Sequence, residues 1–267
     1  MPRNARTEIQ DGPGDQTALK GVRRALQVLE HVAIHPGRAT DLADALDLSW
    51  ATLHRTLSQL EKGGFLQRDR ESNRYSIGPR MWFIGATYIA NHRVLELAKP
   101  YLAKALKSPG ITVQLVERSG FQAVALYSSH SDEEITKATY GYHFPLHTGS
   151  KGQVLLAYAE PGFIDEYLEQ DLERLTPFTV TNAEELRSKL EGIREQGYAV
   201  TVADVQPFTG SVAAPVFDHK GTLVACVCFV SKKSNIENAS KRDELIEALL
   251  TTVQSISLAL GWRPQSK

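Results

Sequence analysis

Ser49, Thr52, His54 and Arg55 cluster in one short stretch, and Arg68, Arg70 and Arg74 come soon after it. Hydroxyls can reach phosphates and base edges, and a guanidinium can grip guanine O6 and N7 with two hydrogen bonds, so this set suits the surface of duplex DNA. A second group lies far along the chain, where Gly149, Ser150 and Lys151 come directly after His147 and Thr148. Their backbone amides open an expected helix, a place that favours an anionic group such as a carboxylate. Catalytic readings have less support. His143 and His147 are spaced four apart, which suits a metal on a helix, but Pro145 stands between them and no Cys, Asp or Glu cluster completes a site. Neither a metal nor a cofactor is expected, and His147 is read as holding the loop. No P-loop, no dinucleotide-type glycine pattern and no Gly-x-Ser-x-Gly elbow occurs.

The elements that must position the first group are legible around it. Residues 40–46 read as a short helix capped by Thr40, with Leu42, Ala45 and Leu46 on one side. After Asp47 and Leu48, Ser49 offers a second N-cap, and Trp50, Leu53, Leu57 and Leu60 recur at helical spacing as a buried stripe. Thr52, Arg55, Thr56, Gln59 and Lys62 are then left outside, as on the second helix of a helix-turn-helix. The competing reading is that any amphipathic helix turns polar residues outward. The residues just past the helix favour DNA reading. Gly63 and Gly64 end the helix, 65–69 and 74–78 read as two strands around a polar turn, and the ribbon tip carries Arg68, Arg70 and Arg74 like the wing of a winged helix. Upstream, Val22, Ala25, Leu26, Leu29, Val32 and Ala33 form the stripe of a helix that closes the three-helix core.

A chain of 267 residues, 42% hydrophobic and 23% charged, is long enough for two domains with globular cores. No apolar run approaches a bilayer span and the N-terminus lacks a signal-peptide core, so a cytoplasmic location and no membrane partner are expected. Cys226 and Cys228, two apart on an apparent strand, point from one face and are read as free, buried thiols. Residues 1–80 hold 12 Lys/Arg against 10 Asp/Glu, and 81–267 hold 18 against 21. So weak a basic bias fits a specific binder that doubles its surface by oligomerising better than a nonspecific coat.

Four segments emerge: a disordered arm over 1–19 bearing Arg3 and Arg6, a winged helix-turn-helix domain over 20–80, linker or dimerisation helices over 81–107, and an effector domain over 108–267. The linker carries Trp82, Phe83 and Tyr88 in more than one direction, as a helix with more than one partner surface would. In the last segment, strands at 112–117 and 122–128 form a hairpin, helices are expected at 150–159, 162–170 and 182–196, and strands at 211–217 and 223–231 precede a final helix at 240–260. Residues 232–234 read as a strand-end turn. An antiparallel sheet with helices on its faces makes this an α+β domain of the sensor kind.

Taken together, Val22–Leu26, Ser49 with Thr52, His54 and Arg55, Gly78-Pro79-Arg80, 145–152, 193–200 and 211–218 resemble the IclR-type (isocitrate lyase regulator-like) transcriptional regulators, over most of the chain from Gly21. The resemblance implies an N-terminal winged helix, a linker helix that pairs subunits, a C-terminal GAF-like α/β effector domain, and a homodimer or dimer-of-dimers tetramer. It also implies a ligand at the start of the helix after Thr148, facing the last two strands, with Gly149, Ser150, Thr201, Ser211, Cys228 and Val230 as effector-binding positions. The chain departs from members that bind small keto acids, which have an acidic run where Thr201-Val202-Ala203-Asp204 stands and serines in place of Cys228 and Val230; Phe208 replaces a loop glycine, with Gly210 two residues later. Fewer polar partners suggest an aromatic or hydrophobic acid as effector. The expected function is ligand-responsive repression of catabolic genes through operator DNA, read by Ser49, Thr52, His54 and Arg55 with Arg74 holding the wing on phosphate. An activator of the same fold and a GAF-like sensor that does not bind DNA are the open alternatives.

Overall fold

The computed structural model describes residues 13–107, 110–131 and 143–263. Their contacts divide the chain into two units, Met1–Asn91 and His92–Lys267. Residues 1–12, with Arg3 and Arg6, and the tail after 263 lie outside the described residues.

The first unit opens with α1 (Pro13–Ile34), which begins inside the stretch expected as a disordered arm, with a proline at its first position where a missing N–H costs nothing. Its seam differs from the expected stripe. Val28 and Val32 are fully buried with Ala25 and Leu29 beside them, whereas Val22 is 59% and Leu26 53% exposed. Ala33 is exposed as well. The strand β1 (Gly37–Arg38) is too short to show any alternation in sequence, and α2 (Ala39–Leu46) is capped by Arg38 rather than Thr40: the Arg38 N–H donates to Asp41 Oδ2 at 3.3 Å. Leu42 is buried with Ala43 and Leu46 against it, while Ala45 faces out. Asp47 adopts φ +48°, and the turn delivers the chain to α3 (Trp50–Lys62).

Leu53, Leu57 and Leu60 bury as their spacing requires, but the stripe is rotated at its start. Trp50 is 55% exposed and lies against the His54 ring, and Thr56, expected outside, is buried. Its hydroxyl donates back to the Thr52 carbonyl at 2.9 Å, which removes the penalty of an unpaired hydroxyl in the core. Gly64, at φ +74°, leads into β2 (Leu66–Arg68) and β3 (Arg74–Ile77), which with β1 make a three-stranded sheet in the order β1-β3-β2. The helix α4 (Pro79–Ala90) comes next and has no buried residue.

The second unit begins with α5 (Arg93–Ala105), then β4 (Ile111–Ser119) and β5 (Gln122–His130) as the expected hairpin. Next come β6 (His143–Pro145), α6 (Gly149–Ala157), α7 (Pro161–Leu168), α8 (Ala183–Gln196), β7 (Ala199–Val202), β8 (Thr209–Phe217), β9 (Leu223–Lys232), α9 (Lys233–Glu237) and α10 (Ala239–Ala259). Two short strands, β6 and β7, and the single-turn α9 in place of a plain turn are what patterning missed, because each is too short for a period to register. The strands form one antiparallel sheet in the order β6-β5-β4-β9-β8-β7. Strand alternation sends Val116, Ala213, Cys226, Cys228 and Val230 to the face under α6 and α8, and Val113, Leu115, Val212, Val227 and Phe229 to the face under α5 and α10. Both cysteines are free and buried.

Every residue of α6 is buried, polar ones included. A helix enclosed this way must come very close to its neighbours, and Gly152 makes that possible: an added Cβ would sit 2.6 Å from the Leu146 carbonyl oxygen and 3.0 Å from that of Pro145. Gly152→Ala should therefore destabilise the second unit by about 1–3 kcal/mol, as overpacking does. Thermal unfolding of the full chain tests this, and a variant as stable as the parent would show that the loop can yield.

Candidate nucleic-acid interface and effector site

The outer surface of α3 is built by the same rotation that buries Thr56. Ser49, His54, Arg55, Gln59 and Lys62 are exposed and Thr52 is half-buried. Ser49 stands at the N-cap as expected, but its hydroxyl donates to Thr52 Oγ1 at 2.9 Å instead of accepting from a backbone amide. That bond holds the two hydroxyls side by side at the start of α3. Among the described residues Arg55 has no hydrogen bond or ion pair, so its five donors stay available to an external acceptor.

The wing turn is shaped by Asp69, whose carboxylate accepts from the Ser72 hydroxyl at 2.6 Å and the Ser72 N–H at 2.7 Å. These bonds, the hydroxyl first, hold its pKa below the usual carboxylate value. Asn73 takes a positive φ of 57° to close the turn. The three arginines are then not equivalent. Arg70 is exposed and unengaged among the described residues, Arg68 Nη2 donates to Asn73 Oδ1 at 2.7 Å and lies over the Tyr75 ring, and Arg74 donates to the Pro36 carbonyl. Arg74 thus ties the wing to the segment before β1.

In the second unit the first turn of α6 meets β7, β8 and β9. Thr201, Ser211 and Val230 lie opposite one another across these strands, and Cys228 is one step along on the same face. Ser150 Oγ is 2.7 Å from Ser211 Oγ and 3.7 Å from Cys228 Sγ, and Thr201 Oγ1 is 3.1 Å from Ser211 Oγ. The six expected effector positions are therefore gathered in one place, with Val230 joining through its strand register rather than through a bond.

The amides expected to be free are not all free. Gly149, at φ +66°, donates its N–H to Asp204 Oδ2 at 2.8 Å, and the Ser150 N–H donates to Thr201 Oγ1 at 3.1 Å. The chain's own carboxylate thus sits where an anion was expected. Burial raises the Asp204 pKa, against the opposing pull of the Gly149 N–H. Its loop is pinned from behind, where Thr176 and Thr179 donate to the carbonyls of Ala203 and Asp204 at 2.7 Å each. Lys151 and Gln114, which patterning did not single out for their side chains, also converge here: Lys151 Nζ donates to Gln114 Oε1 at 3.0 Å. Contacts bridging dozens of residues leave no local signal.

His143 and His147 part company. His143 is on β6 and meets Gln122, whereas His147 is buried below the loop. Its Nε2–H donates to the Glu173 carbonyl at 2.8 Å, and Nδ1 accepts from the Tyr167 hydroxyl at 2.8 Å, which itself accepts from the His147 N–H at 3.1 Å. Burial lowers the pKa of the ring, against the opposing pull of the Glu173 carbonyl.

This two-unit arrangement is matched by known proteins. The model for the IclR helix-turn-helix domain covers residues 21–70, and that for the bacterial transcriptional regulator IclR C-terminal domain covers 86–258. The chain belongs to the IclR family of bacterial transcriptional regulators. It is 30% identical over 256 residues to the HTH-type transcriptional regulator BhcR of Paracoccus denitrificans (strain Pd 1222), across 94% of this chain and 91% of that one. Over 255 residues it is 28% identical to the HTH-type transcriptional repressor AllR of Escherichia coli (strain K12), across 93% of each. An IclR transcriptional regulator from Alicyclobacillus acidocaldarius superposes with a TM-score of 0.79 at 26% identity, over 91% of this chain and 99% of that one. An IclR homolog from Microbacterium hydrocarbonoxydans, complexed with 4-hydroxybenzoate, shares the fold with a TM-score of 0.76 at 24% identity, over 90% and 98%. As a member of the IclR family the chain is a helix-turn-helix regulator and not an enzyme.

The lowered pKa of His147 in this IclR-family protein has a consequence for acid stability. The unfolded chain takes up a proton near the ordinary value of 6.5 while the folded one resists it, so the site's contribution is complete above that pH and is lost as pH falls towards the lower folded value. Melting temperature measured from about pH 7.5 down to about pH 5.5 should fall more steeply for the parent than for His147→Gln, and parallel profiles would exclude His147 as the cause.

Proposed function

We propose that the protein binds double-stranded operator DNA sequence-specifically, in the cytoplasm, and represses neighbouring catabolic genes in response to a small organic acid bound by the second unit. The observation that carries the reading is the surface of α3: Arg55 and Gln59 are exposed on a helix whose other side is locked into the core by Leu53, Leu57 and Leu60. A helix fixed on one side and unengaged on the other is what major-groove reading requires. In this reading Ser49, Thr52, His54 and Arg55 contact bases and phosphates, and Arg74, exposed and bonded to the Pro36 carbonyl, contacts the backbone from the wing. Repression is supported by the likeness to AllR, a repressor by name.

The reader works as a homodimer or a dimer-of-dimers tetramer, with 81–107 as the linking helices. Trp82, Phe83 and Tyr88 are 79%, 65% and 52% exposed on α4, an apolar surface that a second subunit would cover. The effector contacts Gly149, Ser150, Thr201, Ser211, Cys228 and Val230. Two apolar or thiol positions in that set favour an aromatic or hydrophobic acid, and 4-hydroxybenzoate, bound by a protein of the same fold, is the first candidate to try.

The test is fluorescence anisotropy with the DNA upstream of the protein's own gene. Specific, salt-sensitive binding is expected, with Arg55→Ala losing about 1–3 kcal/mol. Unchanged affinity and sequence preference in Arg55→Ala would remove that residue from base reading, and the lack of any specific complex would remove the operator reading altogether.

A further inference from the structure

Lys151 is a buried amine with no ion-pair partner among the described residues. It is 6% exposed, its Nζ donates to Gln114 Oε1 at 3.0 Å, and the same atom sits 3.8 Å from the centre of the Phe144 ring. Both partners are neutral, and no ion pair is found for it among the described residues. Burial lowers its pKa, opposed by the nearby Cys228, Cys226 and Asp204. Burying an ammonium without an anion is costly, and a lysine that served packing alone would be better replaced by an apolar side chain of like volume.

Two further observations converge on the same place. The acceptors that the start of α6 would draw are already supplied, since Asp204 takes the Gly149 N–H and Thr201 takes the Ser150 N–H. An incoming acid group therefore finds those two positions filled. Thr112, fully buried, has a hydroxyl with no hydrogen-bond partner among the described residues. It lies two residues from Gln114 on the same face of β4, opposite Val230, which in turn opposes Ser211. One face of β4 thus carries an idle donor, Thr112, two residues from Gln114, the acceptor that holds the Lys151 amine, with Val230 opposite Thr112 and the Phe144 ring beside Nζ. What the Thr112 hydroxyl and the Lys151 amine both lack is an acceptor carrying negative charge.

We propose that Lys151 is the counter-charge for the effector: a small monocarboxylate places its acid group on the Lys151 ammonium and the Thr112 hydroxyl, with its body against Phe144 and Val230. This rests on the effector reading in the proposed function and assigns the acid group to a side chain instead of to the amides of α6. It also explains why Gln114, whose Nε2 donates to Ser128 Oγ at 3.3 Å, presents its carbonyl to the lysine: it is the one neutral acceptor bonded to Nζ among the described residues.

The experiment uses the full chain and four probes in calorimetric and thermal-shift titrations, 4-hydroxybenzoate and pyruvate as acids and their neutral twins 4-hydroxybenzamide and pyruvamide. At least one acid should bind the parent at least tenfold tighter than its amide. Lys151→Met should keep or raise the ligand-free melting temperature and lose that acid at least tenfold, while Thr112→Val, isosteric and apolar, should weaken it several-fold without unfolding the chain. The Thr112 variant carries the test should Lys151→Met fail to fold. Equal binding of acid and amide, or acid binding unchanged in both variants, would overturn the role of Lys151 and leave the effector reading standing. A parent that answers to none of the four probes removes the effector reading, and this inference with it.

Discussion

A helix buried on all sides cannot leave its first N–H groups to water, and the second unit is arranged around that constraint. Gly149 and Ser150 open α6 beneath the sheet, and their amides must find acceptors inside the protein. Asp204 and Thr201 supply them from the end of β7, which sets where β7 must lie at the sheet edge. The same demand draws in Thr176 and Thr179, which hold the carbonyls of Ala203 and Asp204 so that the carboxylate stays on its amide. Ala203 accepts a positive φ of 59° as part of the arrangement, a cost tolerated because the bonds around it leave the backbone no alternative.

The electrostatic character of the site has the same origin. Every group near the start of α6 whose pKa is shifted is pushed by burial towards its neutral form: Asp204, Cys226 and Cys228 upwards, Lys151 and His147 downwards. Hydroxyls, a thiol and one amine in a low-dielectric setting can respond to a small charged molecule far more than a solvated surface would. Such responsiveness is what a regulator needs from its second unit, since a ligand can shift a conformational equilibrium only by the difference in its affinity for the two states.

The first unit obeys a different constraint. Its core is small, a seam of Val28, Val32, Leu42, Leu53, Leu57, Leu60, Leu66 and Tyr75, and α3 has to give one whole side to it. With Thr56 turned inward and Trp50 outward, the helix is rotated relative to a simple leucine stripe, and the rotation decides which polar side chains stand furthest out. The wing is then fastened from two directions, by Arg38 to the Ser72 carbonyl and by Arg74 to the Pro36 carbonyl. A short ribbon has little hydrophobic content of its own, so these bonds hold it where a core would otherwise be needed.

The amino-acid sequence alone determined the elements with a period long enough to register: α3 and its leucines, the β4–β5 hairpin, the strands around Cys226 and Cys228, and the long final helix. It also determined the family, through motifs spread in order along the chain, and with it the positions of Ser150, Thr201, Ser211 and Cys228 in one site. Tertiary structure alone decided how that site is wired. Nothing near Asp204 in the chain announces that its carboxylate caps a helix 55 residues upstream, and nothing near Lys151 announces that its amine ends on Gln114 and Phe144. Thr56 and Trp50 exchanged their expected places for the same reason. Local periodicity reports how often apolar residues recur, whereas burial and pairing depend on which distant segments arrive alongside, and only the folded chain brings them there.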